Sequence, residues 1–359
     1  MSERIALSVL DIEKKYTYDV DEASYGSDNI VQWGKNNDAN ILFRNCYRGS
    51  ATLKSIIDGS VNFVVGDNIE VNAKAWENGV NRRGMSMRQF VAALALSYLT
   101  YGGFAIQVIF NKIGVPVEMF PLDFGRCRTN EAGTKVWYSK KNWSKWSTKA
   151  EAFDKYDPEK FDMEHPTQIY YFKGDFTTSV YPLPPFYGAI ADVLTEMECS
   201  KYSLNSVANG FSARYVFNIP EANNLTDEQK KGWEDAIKSK FCGSEPEANF
   251  LLYWMDGGQG IEIAKIEGDE TPERFIAVKD NARTNIFIAM RATPNIFGLP
   301  TAGNGFNSQE FSAAEKLYEK TVIDPIRDII KEAIDKITGI DDSITITPFS
   351  ISFDDNEVN

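Results

Sequence analysis

Apolar positions along the chain alternate between a period near 3.6 and a period of two, the marks of helix and strand. Asp38 to about Ser60 reads as one helix, with Asn45-Cys46, Ser50, Ile56-Ile57 and Ser60 along one side. Phe63-Val64-Val65, a turn at Gly66-Asp67-Asn68 and Ile69-Glu70-Val71 then predict a short hairpin. From Met85 to Tyr101 the pairs Phe90-Val91 and Leu94-Ala95, with Tyr98, form a helical stripe. Gly102-Gly103 turns the chain, and Phe104, Ile106, Val108 and Phe110 alternate as a strand. Asn111 to Gly114 turns that strand, and Val115 to Phe120 returns beside it, with Pro116 suited to an edge or a bulge. Arg126 to Arg128 reads as a further strand, joined through Glu131-Ala132-Gly133 to Lys135-Val136-Trp137-Tyr138. Gln168 to Phe172 is a strand by its β-branched and aromatic content. Residues 1–36, with weak periodicity, read as an arm, and 140–162, rich in Lys, Asp and Trp, as a surface elaboration.

After Pro182-Leu183-Pro184-Pro185 the character changes. Gly188 to about Asn209 predicts a long helix capped by Gly210. Arg214 to Ile219 is a strand. Thr226 and Gln229 form a capping box that opens a helix running to about Phe241. Asn249 to Trp254 and Ile261 to Ala264 are strands about the turn Asp256-Gly257-Gly258, so 214–267 reads as a β-α-β-β unit. A second long helix starts at Pro272 and runs to about Ala292, and Pro294 ends it. A last helix runs from Asn307-Ser308-Gln309-Glu310 to about Ile337, and Ile344, Ile346, Phe349, Ile351 and Phe353 predict a terminal strand pair.

Composition narrows the chemistry. With 359 residues and 43% apolar content the chain can bury a core. Its single histidine, His165, lies in the loop-like Glu164-His165-Pro166. A multi-histidine zinc or iron site cannot form within one chain, and a Ser-His or Cys-His mechanism would have to use that residue alone. Cys46, Cys127, Cys199 and Cys242 are far apart, with no C-x-x-C pair, so neither a zinc knuckle nor a disulfide framework is encoded. The start of the chain lacks a secretory h-region, which makes a reducing cytoplasm the expected place of synthesis. Gln89 to Phe110 carries no charge and is long enough to span a bilayer, but its change of period and its polar residues read as a buried helix-turn-strand.

No P-loop, dinucleotide fingerprint or EF-hand is present. No cofactor and no metal are expected. Fifty-one acidic residues against 38 basic ones give a net charge of -13, the wrong sign for a protein that grips phosphates. None of those carboxylates falls in a catalytic motif. One remainder stands out, the uncharged, glycine-rich Phe297-Gly298-Leu299-Pro300-Thr301-Ala302-Gly303-Asn304-Gly305-Phe306 between two long helices. A phosphate cradle would want a following Lys or Arg, and Asn307-Ser308-Gln309-Glu310 offers none. Gly298, Gly303 and Gly305 suit a loop of wide conformational range.

The order of segments from 181 to 337 resembles the portal proteins of tailed bacteriophages, the head-tail connectors. Tyr187-Gly188 and the helix ending Ala208-Asn209-Gly210 resemble the family's first stem helix. Arg214 to Ile219, the Leu225-Thr226-Asp227-Glu228-Gln229 helix with Trp233, Phe250-Leu251-Leu252 and Gly257-Gly258 resemble its clip. Arg283, Ile286 and Pro294-Asn295-Ile296-Phe297-Gly298 resemble the second stem helix and its exit. Phe306-Asn307-Ser308-Gln309-Glu310 resembles the start of the helix after the tunnel loop, and Val322-Ile323-Asp324-Pro325-Ile326 a later family motif, with Arg327 just beyond. More loosely, Tyr101-Gly102-Gly103-Phe104 and Val115 to Pro121 resemble wing elements. The single proline at the stem exit departs from the family pattern, and 140–162 matches none of it.

The resemblance implies an α+β portal fold. Its parts would be an N-terminal arm (1–36), the wing's N-terminal part (37–181), stem helix 1 (182–213), the clip (214–268), stem helix 2 (269–296), the tunnel loop (297–306) and the wing's C-terminal part (307–359), with the crown reduced or absent. It implies a homo-dodecameric ring at one capsid vertex of a virion, made in the host bacterial cytoplasm. Double-stranded DNA would pass through it without sequence-specific binding. Phe297 to Phe306 would face that DNA, and Lys279 and Arg283, at i and i+4, would touch phosphates weakly or else pair with Glu273 or Asp280. The clip, with Trp233, Asp256, Gly257 and Gly258, would meet the terminase large subunit and later a head-tail adaptor. The major capsid protein, and a scaffold, are further implied partners, and no membrane is. Rival readings are another ring-forming connector component, a metal-dependent enzyme built on carboxylates, and an interaction scaffold.

Overall fold

The six strands that organise the larger part of the chain lie in the order β5-β4-β9-β8-β7-β6. They span Gly103–Phe110 (β4), Pro116–Leu122 (β5), Cys127–Thr129 (β6), Lys135–Tyr138 (β7), Glu151–Lys155 (β8) and Thr167–Lys173 (β9). All neighbours are antiparallel except β8 and β9, which run parallel. The computed structural model describes residues 24–25, 29–143, 149–174, 180–208, 214–219, 226–232, 235, 250–254, 262–266, 272–298 and 308–349. The chain divides into two units, Met1–Leu194 with Arg283–Asn359, and Thr195–Ala282.

In the larger unit, helix Met87–Tyr101 feeds the central strand β4. Ser86 caps it: its hydroxyl accepts from the Gln89 N–H at 3.2 Å, and the Gln89 side chain accepts from the Ser86 N–H at 3.1 Å. Phe90, Val91, Leu94, Ala95 and Leu99 are buried on one face. Strand β4 is buried on both faces over its first half, with Phe104, Ala105 and Ile106 fully enclosed. The uncharged run 89–110 is therefore core helix and core strand, and no described helix is long and apolar enough to cross a membrane. Strand β5 forms an edge, and its register with β4 shifts at Ile109/Phe110, beside Pro116.

The structure corrects several local expectations. The helix expected over 38–60 is two helices, α1 (Ala39–Gly49) and α2 (Ala51–Val65). Ser50 takes an extended conformation (φ -90°, ψ 121°), and its hydroxyl accepts from the Leu53 N–H at 3.0 Å, so it caps a new helix instead of continuing the old one. Phe63-Val64-Val65 is the last turn of α2 and not a strand. These residues fall at helical spacing from Ile56, Ile57 and Ser60 and are buried with them, so tertiary burial overrides β-propensity. Gly66, at φ 65°, ends the helix.

Strand β3 (Asn68–Val71) consequently has no hairpin partner before it. It pairs instead with β13 (Ile344–Thr347), which was expected to pair with another C-terminal strand. Residues 140–162, expected as a surface elaboration, contribute β8 to the main sheet; most of its side chains are exposed, which hid the strand from a burial pattern. The last helix is also not uniform. Helix Ser308–Tyr318 passes through a π-helical turn, Glu319–Ile323, into helix Asp324–Thr338, with Pro325 in the first turn of the latter. Within the stretch read as an arm, Ser24–Tyr25 (β1) pairs with Ile30–Val31 (β2). Trp33 is fully buried and stacks on Tyr181 at 4.9 Å.

The smaller unit holds β10 (Arg214–Ile219) between β11 (Phe250–Trp254), parallel to it, and β12 (Glu262–Ile266), antiparallel. A parallel pair needs a crossover, and the helical segment 227–232 lies between β10 and β11 in sequence. Its expected capping box is formed: the Thr226 N–H donates to Gln229 Oε1 at 3.0 Å and the Gln229 N–H to Thr226 Oγ1 at 3.4 Å. Two helices cross the division between the units, Ile190–Ala208 and Pro272–Ala289. In the smaller unit Tyr202 of the first stacks on Phe275 of the second at 4.6 Å.

Candidate functional site

The glycine-rich segment begins where helix Pro272–Ala289 stops. Arg291 turns left-handed (φ 52°), and the Ala292 N–H donates back to Phe287 O at 3.0 Å. Pro294 opens a single tight turn, Pro294–Phe297, and Gly298 closes it at φ 74°. Proline at the start and glycine just past the end is the expected polarity of such a turn.

Phe297 was expected to line the tunnel. The structure seats it inward, half-buried. Its ring centroid lies 5.7 Å from that of Tyr318, edge-on, 6.3 Å from Phe287 and 6.5 Å from Phe63. Below it is Gly59 of α2, where a Cβ would lie 2.6 Å from Phe297 Cε1. Glycine inside a helix costs about 1 kcal/mol relative to alanine, and here the ring occupies the room that the missing side chain leaves. Tyr318 is fixed in turn: its hydroxyl and that of Ser60 lie 2.6 Å apart, and burial pushes the phenol up to about 12. The aromatic rings and the burial of Phe311 anchor both ends of the segment to one body.

Gly298 is exposed and is the last described residue before Ser308. Leu299, Pro300, Thr301, Ala302, Gly303, Asn304, Gly305 and Phe306 lie outside the described residues, as do Trp233, Asp256, Gly257 and Gly258. Lys279 and Arg283 sit four residues apart on helix Pro272–Ala289, both half-buried. The same helix leaves Ile276 61% and Ile288 67% exposed, and Leu204 of helix Ile190–Ala208 is 67% exposed. Single apolar side chains on a surface are ordinary.

Sequence reasoning missed the anchor. The signal was Gly59 itself, a lone glycine among Ile56-Ile57 and Ser60 in a helical stripe, a pattern that asks what approaches closely there.

Little else in the described residues offers chemistry. No three His, Cys, Asp or Glu side chains among them are placed to hold a metal ion. His165 is exposed, in a cleft of about 350 Å³ whose lining includes Lys135, Glu151, Asp154 and Glu164 but no serine or cysteine. Cys46, Cys127 and Cys199 are buried and free. Burial pushes the Cys46 thiol up to about 12 and the Cys127 thiol upward as well. A thiolate is the reactive form, so Cys46 and Cys127 are expected to resist a thiol reagent at pH 8 in native protein and to react on unfolding. Mass-mapped labelling checks this, and rapid native labelling of either would contradict the burial.

The family model for phage portal proteins matches residues 78–357. Among solved structures, a chain of the virion of a native gene transfer agent particle aligns with TM-score 0.56 and 17% identity, over 89% of this chain and 85% of that one. A chain of the neck of that particle, computed with C12 symmetry, aligns with TM-score 0.57 and 16% identity, over 93% and 88%. An HK97-family phage portal protein from Corynebacterium diphtheriae aligns with TM-score 0.52 and 10% identity, over 85% and 95%. At these identities the structures speak to the fold. No curated protein matches.

Proposed function

The chain belongs to the phage portal protein family, and from that premise we propose that it forms a dodecameric ring at one capsid vertex, through which double-stranded DNA is packaged and later ejected. The observation that carries the reading is the family match across residues 78–357. The neck chain with C12 symmetry, similar over 93% of this chain, supports a ring in a virion particle. The family is a structural one, and ATP hydrolysis would be supplied by the terminase large subunit, in keeping with the missing P-loop.

In this reading residues 37–181 and 307–359 form the wing. The helices at 182–213 and 269–296 form the stem, and 214–268 forms the clip that meets terminase and then an adaptor. The exposed Leu204, Ile276 and Ile288 are surfaces for a neighbouring subunit, since a ring buries the same patch twelve times over. The segment 299–306 lines the channel, and its lack of charge limits it to steric contact with DNA. A net charge of -13 lets DNA slide, because attraction to phosphates over the whole channel would arrest it. Lys279 and Arg283 supply weak, local phosphate contact. Host-cell synthesis precedes docking into the capsid shell.

The purified chain is expected to sediment near twelve times its 40.4 kDa mass. A sharp monomer at every concentration tried, with activity that follows an added divalent metal, would replace this reading with the carboxylate enzyme.

A further inference from the structure

We infer that Phe297 is the positioning residue of the 299–307 segment, seated in a socket that Gly59 leaves open; this rests on reading that segment as the channel loop. Helix α2 lacks a side chain at Gly59, where the Phe297 ring lies against its backbone. A Cβ there would approach the ring carbons Cε1 and Cδ1 to 2.6 and 2.8 Å, which no relaxed packing allows. Phe63, Phe287 and Tyr318 wall the ring on its other sides. Tyr318, ten residues into the helix that follows the segment, is tied through its hydroxyl to Ser60, the residue next to Gly59.

One turn of α2 therefore holds the chain on both sides of the segment, through the Phe297 ring before it and the Tyr318 hydroxyl after it. Immediately beyond the seated ring, Gly298 is left-handed and exposed. A fixed ring followed by a backbone free of Cβ restraint makes a defined point of departure. The seat fixes the chain up to Gly298.

The test compares the full-length protein with Gly59→Ala, with Phe297→Leu and with both together. Amide exchange is read over 293–298, over α2 and over the main sheet. Gly59→Ala improves the helix propensity of α2, so α2 and the sheet should exchange no faster than in wild type. Exchange over 293–298 should rise on the order of tenfold, the scale of coupling between contacting side chains. Phe297→Leu should do the same by emptying the seat. The double variant, in which the new methyl fills the space the ring vacated, should return to within about threefold of wild type. DNA-filled particles in a packaging reaction should fall with Gly59→Ala at unchanged ring yield and recover with the double variant.

Unchanged exchange over 293–298 in Gly59→Ala, or additive single effects with no recovery, overturns the socket. A rise shared equally by α2 and the sheet reduces it to general destabilisation and overturns positioning. So does normal packaging by Gly59→Ala despite faster exchange at 293–298. Failure of the wild-type chain to form rings contradicts the portal reading instead, and the exchange comparison still decides the socket.

Discussion

Arg128→Met is expected to lose about 3–5 kcal/mol of stability, because it leaves several buried acceptors without their donor at about 1–3 kcal/mol each. Arg128 is fully buried. Its Nε donates to Asn37 Oδ1 at 2.5 Å, its Nη1 to the carbonyls of Gly125 and Cys127, and its Nη2 to Asn37 O and Asn40 Oδ1. The guanidinium also lies over Trp33, Trp143 and Tyr181, at 5.4, 5.2 and 5.8 Å from their ring centres. Methionine keeps part of the volume and none of the donors, so the buried oxygens of Asn37 and Asn40 lose the donor they accept from. Arg128→Lys should rescue little, because one ammonium cannot reproduce a planar fork that joins residues 37–40 to residues 125–127. Domain stabilities run to about 5–15 kcal/mol, so the variant should sit near the edge of folding. Urea unfolding followed by tryptophan fluorescence measures it. A loss under about 1 kcal/mol would mean that the network does not organise this part of the core.

Arg327→Met should be comparably damaging, and for an electrostatic reason. The side chain is 8% exposed and donates to the carbonyls of Phe63 and Val64, in the last turn of α2. A cation at a helix C-terminus satisfies orphan carbonyls and favours the dipole. The same guanidinium pairs with Glu319 in the π-helical turn. Burial pushes the Glu319 carboxyl above its ordinary range, and Arg327 pulls it back down. Without Arg327 the carboxyl rises further, so folding holds its proton more tightly than the unfolded chain does. A group raised on folding costs stability as pH climbs through its folded pKa. The variant should therefore lose about 3–5 kcal/mol at neutral pH and recover part of it as pH falls through the carboxyl range. Adding Glu319→Gln should restore part of the loss at neutral pH by removing the stranded charge. A loss that neither acid nor that second substitution reduces would show the effect to be packing alone.

Much of the framework was legible in the sequence because its signals are local. The capping box at Thr226, the change of period at Gly102-Gly103 and the proline at 294 each specify their element without reference to the rest of the chain. What sequence could not supply was long-range. Phe63-Val64-Val65 reads as strand until Tyr318 and Arg327, more than 250 residues away, cover it as a helix end. Strand β3 finds its partner in β13 across the chain, which no local pattern encodes. Strand β8 was hidden because its side chains face water, so burial gave no alternation to read. Ser50 was taken as part of a stripe, although its hydroxyl caps a helix there.

The glycine-rich segment was legible in kind and not in detail. Its glycines and lack of charge set it apart, and the order of segments around it carried the resemblance. That Phe297 belongs to the anchor depends on Gly59 and Tyr318, which are distant in sequence.

The most direct measurement is cryo-electron microscopy of the purified protein, with ring number and channel profile as readout. The expected result is closed twelve-fold rings with an open central channel, the Phe297 ring seated on Gly59, and residues 299–306 at the narrowest point. Compact monomers, or a ring in which 299–306 lies on the outer perimeter, would contradict it.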